Sequence, residues 1–194
     1  ELTILACSSN DLTELDVSQN TKLTSLYCKS NDLTALDVRN NTELTILECF
    51  SNDLTELDVS QNAKLTFLYC DSNNLTTLDI SQNTGLTHLS CSDNMYVIVV
   101  TDHSFDLGTL PGNFDISKAS DWTNATIDGN TLTVTDLKAD VTYTYNLGNE
   151  KTATFTLHPV SCILTESMAE AIPIQSYTGS AITPDVTLQY DDTI

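Results

Sequence analysis

Leu2-Thr3-Ile4-Leu5-Ala6-Cys7-Ser8-Ser9-Asn10-Asp11-Leu12-Thr13-Glu14-Leu15-Asp16-Val17-Ser18-Gln19-Asn20 returns in nearly the same letters 21 residues later at Leu23, again at Leu44 and Leu65, and incompletely at Leu86. Cys7, Cys28, Cys49, Cys70 and Cys91 hold one slot of this unit, and Asn10, Asn31, Asn52, Asn73 and Asn94 hold another. Apolar and asparagine positions at so fixed a period mark an internal repeat, and the repeat decides the architecture of the first half of the chain.

The unit reads L-T-x-L-x-C-x-x-N-x-L-T-x-L-D-V-S-x-N. Its first part is the leucine-rich-repeat signature with cysteine in the third apolar slot. Leu5-Ala6-Cys7 alternates with period two, as a strand requires. Leu2, Leu5, Cys7, Leu12, Leu15 and Val17 should point inward. No segment has a 3.6-residue apolar period, which predicts a flattened coil with extended backbone on both sides and no true helix. One such coil cannot bury its apolar face alone, so stability must come from stacking. Asn10 and its equivalents sit at the bend after the strand, where an amide can bond backbone groups that no ladder reaches. Asn20, Asn41, Asn62 and Asn83 form a second bend ladder. The expected fold is a leucine-rich-repeat solenoid without regular helices, followed by a small all-β cap or Ig-like domain.

The period, the cysteine slot, both asparagine ladders and the L-D-V-S-x-N second half resemble the internalin family, especially its cysteine-ladder branch. They are also similar to leucine-rich surface proteins of Gram-positive gut bacteria. The resemblance covers residues 2–94. It implies an extracellular location, on the bacterial cell surface or secreted, and binding of a host or extracellular protein or glycan through the concave sheet. It implies no particular ligand.

Beyond the repeats the pattern changes. Met95-Tyr96-Val97-Ile98-Val99-Val100 reads as a strand closing the core of the coils. Further strands are expected at Ala125–Ile127, Thr131–Thr135, Val141–Leu147 and Thr152–Leu157, punctuated by Asp128-Gly129-Asn130 and Gly148-Asn149. One helical turn is expected within 115–122, with Trp122 in the core. The organisation predicted is a solenoid over 1–94 (four full coils and a partial fifth), a β-rich cap over 95–160, a linker over 161–171, and over 172–194 the start of a further β-rich surface module. Cys162, in the linker, is the one thiol off the ladder. A solenoid that begins at Leu2 exposes the core of its first coil, because terminal repeats need a polar outer face. The expectation is therefore a fragment whose partners include other domains of the same longer chain.

The formal charge of −20 is evenly spread: residues 1–94 carry 14 acids and 4 bases, residues 95–194 carry 13 and 3. Such a surface repels phosphate backbones and anionic headgroups, which argues against nucleic acid and membrane-surface partners. No apolar run approaches the ~20 residues that span a bilayer.

The ladder cysteines do not read as a metal site, because zinc needs ligands converging on one point rather than single thiols strung along an axis. Neighbouring strands lie ~4.8 Å apart and disulfide Cβ atoms ~3.5–4.5 Å, so an in-register pair would need distortion. Reduced, stacked core thiols are expected, each behaving as a small hydrophobe. Asp16, Asp37, Asp58 and Asp79 form an outward column. Calcium could offset their mutual repulsion, but it takes six to eight oxygens around one centre, and one carboxylate per coil is too sparse. Backbone N–H groups or hydroxyls nearby are the simpler partners. Asp102-His103-Ser104 contains triad residue types, yet consecutive side chains cannot converge as nucleophile, base and orienter. No cofactor, metal or catalytic centre is expected.

The outward positions of the first strand are the ones the repeat leaves free. They form three columns: Ile4, Ser25, Ile46, Phe67, His88; Ala6, Tyr27, Glu48, Tyr69, Ser90; and Ser8, Lys29, Phe50, Asp71, Ser92. Tyr27, Phe50, Phe67 and Tyr69 are four of the chain's thirteen aromatic residues. Aromatics with charges between them make up many binding surfaces. The candidate contact set is Tyr27, Lys29, Glu48, Phe50, Phe67, Tyr69, Asp71 and His88. Strands also favour aromatics for their own sake. Five strands span only ~20 Å, room for a peptide segment or short glycan. Two readings follow: a non-catalytic adhesion or binding module, and a structural spacer within a larger surface protein.

Overall fold

The computed structural model describes residues 2–161. Every regular element in them longer than a single 3-10 turn is a strand. β1 (Ile4–Ala6), β2 (Ser25–Tyr27), β3 (Ile46–Glu48), β4 (Phe67–Tyr69) and β5 (His88–Ser90) form one parallel sheet in chain order. Each residue pairs with its repeat equivalent, as in Leu5↔Leu26 and Leu47↔Leu68. The 21-residue period is thus the inter-strand register.

Within each coil the inward leucines and cysteines are buried: Leu26, Leu47, Leu68, Cys28, Cys49 and Cys70 are fully enclosed. The five ladder thiols are unpaired. Leu2 is 42% exposed where its equivalents Leu23 and Leu44 are at 0%. The second half of the coil is extended but carries no strand ladder. Coils touch there through single bonds such as Asp32 N–H to Leu12 C=O (2.9 Å).

Asparagine closes both bends. Asn52 Nδ2 donates to Cys28 O (3.1 Å) and Cys49 O (3.0 Å), and its Oδ1 accepts from Leu33 N–H (3.1 Å). One amide therefore joins two coils and satisfies carbonyls beyond reach of the ladder. Asn62 Nδ2 spans coils likewise, to Val38 O and Asn41 O (both 2.9 Å). The residue before each first-bend asparagine, Ser51 for example at φ 54°, is left-handed, which makes the turn tight enough for this reach. The repeated threonines add a third ladder, with Thr45 Oγ1 on Thr24 O and Thr66 Oγ1 on Thr45 O (both 3.0 Å).

After coil five come β6 (Met95–Val100), β7 (Ser104–Asp106), β8 (Ala119–Thr123), β9 (Ala125–Asp128), β10 (Thr131–Val134), β11 (Val141–Gly148) and β12 (Lys151–Ser161). They make a three-stranded sheet, β7-β10-β9, and a four-stranded one, β6-β12-β11-β8. Their side chains share one hydrophobic cluster with the coils. Ile80 N–H donates to Leu147 O (2.8 Å), Thr76 Oγ1 to Pro111 O (2.9 Å), and the Tyr143 hydroxyl to Thr76 O. Gly112, at φ +73°, approaches Thr77 so closely that a Cβ there would lie 2.7 Å from its Cγ2.

Several expectations are corrected here. The helical turn is confined to a 3-10 turn at Ile116–Lys118, capped by Asp115 accepting from Ser117 N–H (2.9 Å). Residues 119–123 are strand, and Trp122 is half-buried against Tyr143, ring centroids 4.5 Å apart. Asp121, at φ 52°, bulges β8 against β11, so the inward residues Ala119 and Trp122 fall three apart and imitate helical spacing. β6 is a strand as read; it pairs parallel with β12, and its Ile98 and Val100 are buried in the cluster shared with the coils. β7 had no sequence signal. β12 continues four residues past Leu157, through Pro159. Thr156 N–H points at β6, so the proline nitrogen faces the other side, where β11 has already begun at Val141 opposite Leu157 and no donor is needed. Cys162 and residues 162–194, including most of the expected linker and the further module, lie outside the described residues.

Candidate ligand-binding face

The parallel register sets the three outward columns side by side: Ile4, Ser25, Ile46, Phe67, His88 in one and Ala6, Tyr27, Glu48, Tyr69, Ser90 in the next. The third continues the same rise just past the strands, held by bonds such as Ser30 N–H to Phe50 O (3.0 Å) and Ser51 N–H to Asp71 O (3.0 Å). Tyr27, Lys29, Glu48, Phe50, Phe67, Tyr69 and Asp71 are half-buried, and His88 is exposed.

Three local groupings emerge. Lys29 Nζ lies 2.9 Å from Glu48 Oε2 and 5.1 Å from the centre of the Phe50 ring, so one ammonium serves both a carboxylate and an aromatic face. Phe67 and His88 stack with centroids 4.4 Å apart and planes 12° apart, and His88 Nδ1 is 2.9 Å from Thr87 Oγ1. Asp71 accepts from the Ser90 hydroxyl and from Ser92 N–H and Oγ (both 3.1 Å). That carboxylate is committed to the next coil, and offers a ligand less than its position in the column suggests.

The face is not closed by coil five. Tyr69, Thr87, His88 and Leu89 line a cleft of about 440 Å³ whose other wall is Lys151 and Thr152, at the start of β12. Sequence reasoning missed these two. The Gly148-Asn149 turn was legible, but its position beside coil five depends on Asn149 Nδ2 bonding Ile80 O (2.6 Å), a contact with no local signature.

The aspartate column has a different fate. Asp16, Asp58 and Asp79 accept from the N–H two residues on, at 2.8, 2.9 and 2.8 Å. Asp37 does the same with Arg39 (3.0 Å) and also meets its guanidinium (2.7 Å), which with the backbone bond holds the carboxyl at about 2. Burial pushes Asp79 up, but Ser81 and Lys118 outweigh it and the net shift is downward. A larger groove of about 660 Å³ runs along this column, with Arg39, Glu56, Asp58, Lys118 and Tyr145 among its walls. It lies away from the aromatic columns, and its two bases already face Asp37 and Asp79.

Asp102 and His103 occupy a turn at φ 48° and 66°, and His103 Nδ1 lies 3.0 Å from Val134 O. His158 pairs with Asp140 (2.7 Å) on an exposed surface.

No protein-family model matches the chain, and no curated protein matches it. Among solved structures it is similar to the functional domain of InlJ from Listeria monocytogenes, which includes a cysteine ladder, with 26% identity and a TM-score of 0.34. That match covers 82% of this chain and 53% of the other, so the chain spans about half the length of that structure.

Proposed function

We propose that the chain is an internalin-like leucine-rich-repeat solenoid with a β-rich cap, and that it serves as a non-catalytic binding or adhesion module of an extracellular bacterial protein. Its contact surface is the outward face of β1–β5, and its ligand is a host or extracellular protein segment or a short glycan. The observation that carries this reading is the side-by-side placement of Tyr69 and the Phe67–His88 stack, continued by Lys151 across the adjoining cleft. Half-buried aromatic rings beside an ammonium and hydroxyls suit both sugar rings and peptide side chains. The repeat demands none of these residue types at these positions.

One observation favours a spacer instead. Lys29 is taken up by Glu48 and Phe50, and Asp71 by two serines, so much of the face satisfies itself. The two readings separate in a screen of the full chain against arrays of glycans, mucins and host surface proteins. Saturable binding to one class supports the module, and silence across all three supports the spacer.

A further inference from the structure

The four-stranded sheet has two edges, and they are finished differently. β8 is blunted: its register against β11 breaks between Thr142 and Thr144, and Asp121 puts a charge and a left-handed kink (φ 52°) on the open side. Bulges and charges of this kind keep foreign strands from pairing with an edge. β6 has neither. Met95-Tyr96-Val97-Ile98-Val99-Val100 contains no charge, proline or glycine, and its register with β12 is unbroken over all six residues.

The direction of its backbone groups follows from one bond. Thr156 N–H donates to Asn94 C=O (3.1 Å), so on alternation the backbones of Tyr96, Ile98 and Val100 face β12, and those of Met95, Val97 and Val99 face away. Met95 N–H is accounted for, donating to Asn73 O (3.0 Å). Val97 and Val99 have no partner strand among the described residues. The side chains of the same residues stand in solvent: Met95, Val97 and Val99 are 45%, 49% and 50% exposed, three of the five large hydrophobics so exposed among the described residues. Exposed Asp93 and Asp102 bracket the strand.

We propose that the open edge of β6 is a docking site for an extended segment of a partner protein, which adds as a fifth strand with aliphatic side chains at alternate positions and lysine or arginine at both ends. The unpaired Val97 and Val99 groups ask for a backbone of strand geometry, and the Met95-Val97-Val99 stripe asks for aliphatic neighbours on the same sheet face. The bracketing aspartates set the charge of the occupant. They also disfavour a second copy of this chain, because antiparallel self-pairing would bring Asp93 of one copy near Asp102 of the other. This edge is separate from the outward face of β1–β5 and does not depend on what that face binds.

The test uses the full chain and a short synthetic peptide of alternating threonine and valine with two lysines at each end. It should bind saturably, weaken with added salt, and slow hydrogen exchange at the Val97 and Val99 amides. Binding should be lost when the terminal lysines are replaced by glutamates, when the peptide's edge-facing amides are N-methylated, and in Val97→Lys or Val99→Lys. Both substitutions sit at half-exposed positions, and an unchanged melting temperature confirms that each variant folds. Absence of saturable binding, or binding that leaves the two amides unprotected, overturns the proposal. So does protection of both amides in the free monomer, which assigns the edge to another part of this chain, or their protection in a concentration-dependent dimer, which assigns it to a second copy.

Discussion

His88 lies flat on Phe67, one coil below it, with ring planes only 12° apart. The pair exists because the 21-residue register makes residues 67 and 88 cross-strand neighbours. Aromatic pairs contribute about 0.5–1.5 kcal/mol beyond area burial, and the exposure of His88 puts this one near the lower end. A double-mutant cycle of Phe67→Ala and His88→Ala in urea should return a coupling of about 0.5 kcal/mol. A coupling of zero would mean that the rings only happen to be adjacent.

Asparagines at equivalent positions should differ in value. Asn52→Ala orphans Leu33 N–H in the interior and takes one of two asparagine donors from Cys28 O and Cys49 O, which keep Asn31 and Asn73. It should cost about 2–3 kcal/mol, a buried orphan alone costing about 1–3. Asn10 bonds only Cys7 O and Ser8 O of its own exposed coil, so Asn10→Ala should cost about 1 kcal/mol or less. Urea denaturation of both variants checks the ordering.

Burial pushes the Cys28 thiol up to about 12 and raises the Tyr143 hydroxyl well above the usual tyrosine range. In the unfolded chain these groups ionise near ~8.5 and ~10. Both are raised on folding, so the stability tied to their neutral forms is complete below ~8.5 and is lost as pH climbs toward 12. The urea midpoint should fall steadily from pH 9 upward, and Cys28→Ala should make that fall shallower. In native protein at neutral pH, a small alkylating reagent should modify half-buried Cys7 well before Cys49 or Cys70, which are fully enclosed.

Gly112→Ala should disturb the junction between coil four and the segment after β7. The new Cβ would lie 2.7 Å from Thr77 Cγ2 and force an alanine to φ +73°, a cost of about 1–3 kcal/mol. Gly129, also at positive φ but with nothing within 4 Å of its Cβ position, supplies the control: Gly129→Ala should cost about 1 kcal/mol. Thermal unfolding of the two variants separates backbone strain from steric contact.

The repeat was legible because its signal is written at successive coils: one misread residue cannot shift a period that five cysteines and nine asparagines share. It placed the outward columns, and with them Phe67 over His88. What followed coil five was legible only where turns announced strands, as at Gly129 and Gly148. The bulge at Asp121 disguised β8 because it spaces Ala119 and Trp122 like a helix, and a backbone dihedral has no letter in the sequence. Lys151 was invisible for another reason: it reaches the cleft beside Tyr69 through the Asn149–Ile80 bond, which joins residues 69 apart.

The central claim, that the outward face of β1–β5 is a contact surface, is tested most directly by repeating the glycan, mucin and host-protein screen with Tyr27→Ala/Tyr69→Ala. Both side chains are half-buried and lie outside the core, so the double variant should keep a melting temperature within a few degrees of the parent. The account predicts that whatever ligand class binds the parent loses at least about tenfold in affinity, as truncation of aromatic anchors ordinarily produces. Binding that survives the double substitution unchanged would contradict it and move the site elsewhere on the chain.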